Sequence, residues 1–255
     1  MFGWYRSQLR THGYAGATAL LGRVAWARGR ARIADKVLPP RVRCPCCGWQ
    51  GRAFHDYVEM GYRVPGCLCP RCESHPRHRA LFLWVVRERV LADRKGLALV
   101  FAPEKALAGL WSGLPALRVC RVDVESSRGT DMLADIQQLG LATGVADLIW
   151  CHHVIEHVRD DGAALRELTR VLRPDGGQLI ISVPMHGGAE TQEYGAPDPR
   201  LSGHWRTYGD DFRNRLEAAG LDVQEVHPQL GEGELATFGI VPESYFLCAR
   251  RAVAT

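Results

Sequence analysis

The densest pattern of apolar and polar positions runs from Ala146 to Pro184, ADLIWCHHVIEHVRDDGAALRELTRVLRPDGGQLIISVP. Leu148 to Trp150 is an apolar run too short for a helix and suited to a buried strand. Asp160 or Asp161 can cap a following helix, on which Leu165, Leu168, Val171 and Leu172 share one face at helical spacing. Arg173-Pro174-Asp175-Gly176-Gly177 stops that helix with two kinds of breaker, and Leu179 to Val183 is a second buried run. Strand, helix, turn and strand in this order predict a right-handed βαβ unit of a parallel sheet.

Weaker patterns extend the sheet in both directions. Leu97 to Phe101 predicts the first strand of a domain that starts near Gly96. Ala102-Pro103-Glu104 should open the next helix, because Pro103 suits a first helical position. Arg118 to Asp123 reads as a second strand, and Asp131 to Ile136 contains a third. Leu221 to Val226 and Ser244 to Arg250 read as the last two. Between them, Asp210 should cap a helix that turns Phe212 and Leu216 inward and ends at Gly220. The stretch from Met185 to Gly203 lacks periodicity and is expected to be a loop over the substrate. Residues 1 to about 38 are helix-prone and basic, with seven Arg or Lys against one acid, Asp35. They read as a helical extension packed on the domain, with a lid or a contact for an acidic or RNA partner as the lesser reading. Pro39-Pro40 marks the boundary after them.

Composition narrows the class. The 255 residues allow one large domain with a small appendage, and 46% apolar with 24% charged residues is ordinary for a soluble globular chain. No apolar run is long enough to span a membrane, and no secretory pattern opens the sequence. A net charge of +4 does not by itself call for nucleic acid. Nine cysteines, six of them between Cys44 and Cys72, fit a reducing cytoplasm and a metal site rather than disulfides.

Those six form the clearest chemical constellation. Cys44/Cys47 and Cys69/Cys72 are two C-x-x-C knuckles separated by 21 residues, and together they offer a closed tetrahedral S₄ shell for zinc. Gly48 stands where a knuckle needs a permissive backbone. Cys46 and Cys67 are additional thiols that could trade places with a neighbour. Four protein ligands leave no open position, so the zinc would be structural. Arg77, His78 and Arg79 follow, ahead of an apolar helix carrying Leu81, Trp84 and Val85. Arg77 and Arg79 are either surface or domain-interface charges, the reading preferred here, or ligands for a substrate carboxylate or phosphate.

The remaining polar candidates fall at the carboxyl ends of the expected strands, where open α/β sheets bind ligands. Asp123, with Val124 beside it, suits hydrogen bonding to a ribose. Cys151, His152 and His153 follow the fourth strand, and His204 closes the expected loop. His157 reads as a packed, hydrogen-bonded histidine on the helix.

Val154-Ile155-Glu156-His157-Val158 and Leu172-Arg173-Pro174-Asp175-Gly176-Gly177 resemble the "vLEHv" and "LkPGG" segments of class I S-adenosylmethionine-dependent methyltransferases. His204-Trp205-Arg206-Thr207-Tyr208 and the cysteine knuckle running into Arg77-His78-Arg79 are similar to a subgroup of that family. The resemblance implies a Rossmann-like, seven-stranded sheet whose final strand is antiparallel. It places the cofactor against Phe101, Ala102, Pro103, Glu104, Asp123, Val124, Asp135, Ile136, Cys151 and His152, with Asp135 toward the adenine amino group. The chain departs from the family at the first turn, where a glycine-rich E/D-x-G-x-G-x-G is usual and only Ala102 is small. Three regions are therefore expected: a basic extension (1–40), a zinc module with its connecting helix (41–91) and a methyltransferase domain (92–255). The expected function is methyl transfer from S-adenosylmethionine to a small molecule, with His204 as general base ahead of His153. RNA methylation and a non-catalytic scaffold of the same fold are the alternatives.

Overall fold

The computed structural model describes residues 2–59, 62–126 and 129–251. In chain order its elements are α1 (Phe2–Val37), β1 (Val42–Arg43), β2 (Gln50–Gly51), β3 (His55–Glu59), β4 (Tyr62–Leu68), α2 (Pro76–Arg87), β5 (Gly96–Phe101), β6 (Leu117–Asp123), β7 (Met132–Leu133) and β8 (Leu148–His152). There follow α3 (Asp161–Val171), β9 (Gln178–Ser182), β10 (Gln192–Asp198), β11 (His204–Thr207), α4 (Phe212–Ala218), β12 (Leu221–Val226), α5 (Glu232–Phe238) and β13 (Tyr245–Arg250). Among the described residues no helix is long and apolar enough to cross a membrane.

Two compact units emerge, and neither is one continuous stretch. The first comprises Met1–Val90, Lys105–Gly109 and Gln229–Pro242; the second comprises Leu91–Glu104, Leu110–Pro228 and Glu243–Thr255. In the first, α1 is interrupted at Gly13, whose φ of 64° and ψ of 178° are not helical. Near its other end Asp35 accepts a hydrogen bond from the Arg52 amide at 2.7 Å, which ties the helix to the segment after β2. β1 pairs with β2, and β3 with β4, as small antiparallel ribbons.

The second unit is built on a seven-stranded sheet in the order β12-β13-β9-β8-β5-β6-β7. Neighbours from β7 to β9 are parallel, whereas β13 is antiparallel to both β9 and β12. The central strands are apolar because both their faces are covered: Leu148 to Cys151 and Leu179 to Ile181 are all buried. α3 begins as expected, with Asp160 accepting from the Ala163 amide at 2.8 Å, and Leu165, Leu168 and Val171 pack into the core. The turn after α3 needs glycine at 177, where a Cβ would lie 2.4 Å from the Arg173 carbonyl oxygen.

Several elements differ from expectation. Pro103 does not open an α-helix; a 3-10 segment, Lys105–Leu110, follows instead. The Met185–Gly203 stretch contains β10, which pairs antiparallel with β11. Its residues are largely exposed, so no alternation of apolar and polar side chains announces it. Asp210 does not cap α4: its carboxylate accepts from the Gly188 amide, and Asp211, the residue before the helix, accepts from the Thr191 amide and hydroxyl.

Candidate active site and four-cysteine centre

The two knuckles have the same backbone. Gly48 N–H donates to Cys44 O at 2.9 Å and Glu73 N–H to Cys69 O at 3.0 Å, while Cys44 N–H and Cys69 N–H bond back to Trp49 O and Ser74 O. The residue after each second cysteine is left-handed, Gly48 at φ 73° and Glu73 at φ 64°. Only the first knuckle uses the residue that adopts this conformation without cost. The Sγ atoms of Cys44, Cys47, Cys69 and Cys72 all lie within 4.8 Å of one another. Cys44–Cys72 and Cys47–Cys69 are 3.6 and 3.7 Å apart. A tetrahedron with zinc–sulfur bonds of about 2.3 Å has edges of about 3.8 Å, so the donor set fits zinc. The additional thiols point to backbone carbonyls, Cys46 to His78 O and Cys67 to Val64 O.

Arg79 is not positioned for a substrate anion. Fully buried, it donates Nε–H to Phe238 O at 2.6 Å, Nη1–H to Cys67 O at 2.9 Å and Ser74 O at 2.6 Å, and Nη2–H to Gly239 O at 2.7 Å. Its guanidinium lies 3.8 Å from the centre of the Phe54 ring. Gly239 closes over the same pair: its φ is +57°, and a Cβ there would sit 2.7 Å from Phe54. The signal missed in the sequence was distance, since Phe238 and Gly239 lie about 160 positions away. Arg77 is half-buried.

At the carboxyl edge of the sheet, β5 delivers Ala102 at φ 44°, with its N–H bonded to Val122 O at 2.9 Å. A left-handed residue is what the family's glycine would supply at no cost, and here an alanine bears it. Asp123 ends β6 with Oδ1 3.3 Å from the Glu125 amide, and Val124 beside it is 67% exposed. Asp135 is an exposed turn residue: its carboxylate accepts from the Gln137 amide at 2.8 Å and from Gln137 Nε2. Phe101, Ile136 and Cys151 turn their side chains into the core.

His152 and His153 sit in a polar cluster at the ends of β8 and β9. His152 Nδ1 is 2.5 Å from Ser182 Oγ, and its Nε2 is 3.7 Å from Glu104. His153 is left-handed at φ 52° and lies between two carboxylates, with Nδ1 3.4 Å from Glu156 and Nε2 3.5 Å from Glu243. Burial alone would lower its pKa, but Glu156 and Glu243 overcome this and raise it to about 9. Both ring nitrogens of His153 thus already face carboxylates. Glu243 was not visible as a partner in the sequence, because it comes from the start of the last strand's approach. Glu156 had a signal, a carboxylate inside the apolar run Val154 to Val158.

The Ile155–His157 segment is a 3-10 turn rather than helix, and His157 is exposed on it. It is not packed; its ring meets that of His204 edge-on, with centroids 4.6 Å apart. Arg206, from β11, is buried and donates to Ile155 O, Val158 O and Arg159 O at 3.3, 2.7 and 2.7 Å, and to Glu193 Oε2 at 2.9 Å. Tyr208 Oη bonds Asp161 Oδ2 at 3.0 Å. The arginine and tyrosine of the H-x-R-x-Y element thus hold the turn after β8 in place.

Strand order and the one strand that runs antiparallel to both its neighbours make this a Rossmann-like sheet of the kind seen in methyltransferases. A family model described as "Methyltransferase domain" matches residues 115–181, which span β6 to β9. No curated protein matches the sequence. Among solved structures, the [4+2]-cyclase SpnF aligns with a TM-score of 0.50 at 16% identity, covering 69% of this chain and 82% of its own. The YcgJ protein of Bacillus subtilis (TM-score 0.47, 16% identity, 69% and 100% covered) is also similar. So is an S-adenosylmethionine-dependent methyltransferase of Archaeoglobus fulgidus (0.48, 11%, 68% and 94%). At 16% identity, the likeness to SpnF shows the fold alone.

Proposed function

We propose that the protein is an S-adenosylmethionine-dependent methyltransferase acting on a small molecule, with a structural zinc in its four-cysteine centre. The reading rests on one observation above the others: the family match falls on the strands whose carboxyl ends carry Asp123 and the buried histidine–carboxylate cluster. S-adenosylmethionine, when bound, supplies an electrophilic methyl group on a cationic sulfur. The residues present fit it: Asp123 can accept both ribose hydroxyls, Val124 and the left-handed Ala102 leave an apolar wall and a close backbone approach, and Glu104 can accept from the ammonium group. Asp135 faces solvent at the edge where adenine would lie. The 3-10 segment after Glu104 is too short to serve as the helix N-terminus that would receive the carboxylate. An acceptor aligned by this chain's residues would take that methyl group, with the sulfur keeping the electron pair of the broken carbon–sulfur bond. A proton lost by a hydroxyl-type acceptor goes to His204, because both ring nitrogens of His153 already face carboxylates.

Calorimetric titration tests the reading. The parent protein is expected to bind S-adenosylmethionine, and Asp123→Ala to weaken binding at least about tenfold, roughly 1.4 kcal/mol. That is a cautious floor for losing charge-assisted bonds of about 1.5–3 kcal/mol each. No binding by the parent would overturn the reading in favour of a non-catalytic scaffold.

A further inference from the structure

We infer that Glu156, His157 and His204 form a binding site for one divalent transition-metal cation, separate from the four-cysteine centre. One ligand atom from each of the three lies within 4.8 Å of the other two, a span that a single ion can bridge. The stronger observation is Glu156 itself. Its side chain is fully buried, yet neither carboxylate oxygen has a hydrogen-bond partner. A buried carboxylate without donors is costly and is normally compensated by a cation or a metal. His153, at 3.4 Å, faces only one of its oxygens.

The rest of the local structure holds these three groups still. Glu156 and His157 are consecutive on the 3-10 turn, and His204 opens β11. Two residues after His204 on the same strand, Arg206 clamps the carbonyls of Ile155, Val158 and Arg159. The strand that carries one ligand is thereby fastened to the turn that carries the other two. Such support from outside the ligand set is what keeps metal sites in register.

Two imidazoles and one carboxylate suit a borderline cation of the Mn²⁺ to Zn²⁺ series rather than Mg²⁺ or Ca²⁺, which prefer all-oxygen shells. Three protein ligands also leave coordination positions open, unlike the four-cysteine centre. His157 is solvent-exposed, so those positions are reachable by a ligand with an oxygen or nitrogen donor, including a methyl acceptor of that kind. With a cation bound, the effect of His204 on turnover would pass through the metal. The site itself needs no S-adenosylmethionine and stands or falls on its own.

Cobalt titration of protein that carries a single zinc per chain, held by the four cysteines, without S-adenosylmethionine, separates the outcomes. We expect saturable uptake of one Co²⁺ per chain, with weak visible d–d bands and no near-ultraviolet thiolate charge-transfer band. His157→Ala and His204→Ala should each weaken uptake by about tenfold or more, as loss of a group around a metal commonly does. His157 is exposed, so its removal leaves the fold intact, and an unchanged thermal unfolding curve verifies this. Absence of uptake, uptake accompanied by the thiolate band, or uptake indifferent to both substitutions would each overturn the inference. Failure of the calorimetric test above would leave this result unchanged, so the two readings can fail separately.

Discussion

Arg79→Lys keeps the charge and removes the planar fork, and this makes it the sharpest test of how the first unit is held. Four carbonyl oxygens, those of Cys67, Ser74, Phe238 and Gly239, accept from three different nitrogens of Arg79. A single ammonium can follow the Cys67 and Ser74 pair, which share Nη1, but it cannot also reach the two carbonyls served by Nε and Nη2. Leaving two partly buried acceptors unsatisfied costs about 1 kcal/mol each, the low end of the range for such groups. Loss of the guanidinium stacked on Phe54 adds about 0.5–2 kcal/mol. The sum, about 3 kcal/mol, is a large part of what a small unit has to lose. Because structural zinc binding and folding are one free energy, the loss should appear in both. The parent is expected to carry one zinc per chain and release it to a chromophoric chelator only on unfolding. The lysine variant should unfold at a clearly lower denaturant concentration and lose zinc early. If its stability stays within about 1 kcal/mol of the parent and its zinc is retained, Arg79 is not the staple described here, and an anion-binding role returns to consideration.

Two further outcomes follow from single residues. Ala102→Gly should stabilise the protein by about 0.5 kcal/mol: relief of a left-handed alanine, about 1–2 kcal/mol, exceeds the entropic cost of glycine, about 0.5–1 kcal/mol; equilibrium denaturation showing a loss of 1 kcal/mol would contradict that geometry. The hydrogen bonds of Arg170 hold the Glu167 pKa at about 2, below the 4.5 of an unperturbed glutamate, so this pair stabilises the fold above about pH 4.5 and its contribution fades as pH falls toward 2. The pair is partly exposed, which limits it to about 1 kcal/mol. Urea midpoints of parent and Glu167→Gln should accordingly differ at pH 7 and converge as pH falls to about 2, and a constant difference would refute the assignment.

The elements that could be read from the sequence are those whose partners are local or generic. The strands β5, β8 and β9 are apolar because a parallel sheet covered on both faces must be, and β6, β12 and β13 showed as shorter apolar runs between polar residues. α3 announced itself through Asp160 and its leucine stripe. What escaped depends on non-local pairing. β10 is exposed and exists because β11 lies beside it. α5 is seven residues with no buried side chain, and the carbonyls at its end are reached by Arg79 from far up the chain. Pro103 was compatible with a helix, but the chain there continues as a 3-10 segment. At the site, the knuckle spacing already implied that Cys44, Cys47, Cys69 and Cys72 come together, because each short turn aims two thiols at one point. The histidines were harder. Only the fold shows that His153 is enclosed by Glu156 and Glu243 while His204 meets His157.

The return of Gln229–Pro242 to the first unit has a consequence for inheritance and engineering. A chain cut after Val90 separates Arg79 from the Phe238 and Gly239 carbonyls that complete its coordination. The thiolate-bearing part therefore cannot be lifted off as a cassette and exchanged between homologous sheets. Any recombination that replaces it must carry the late segment along, so residues 1–90 and 229–242 are constrained to change together.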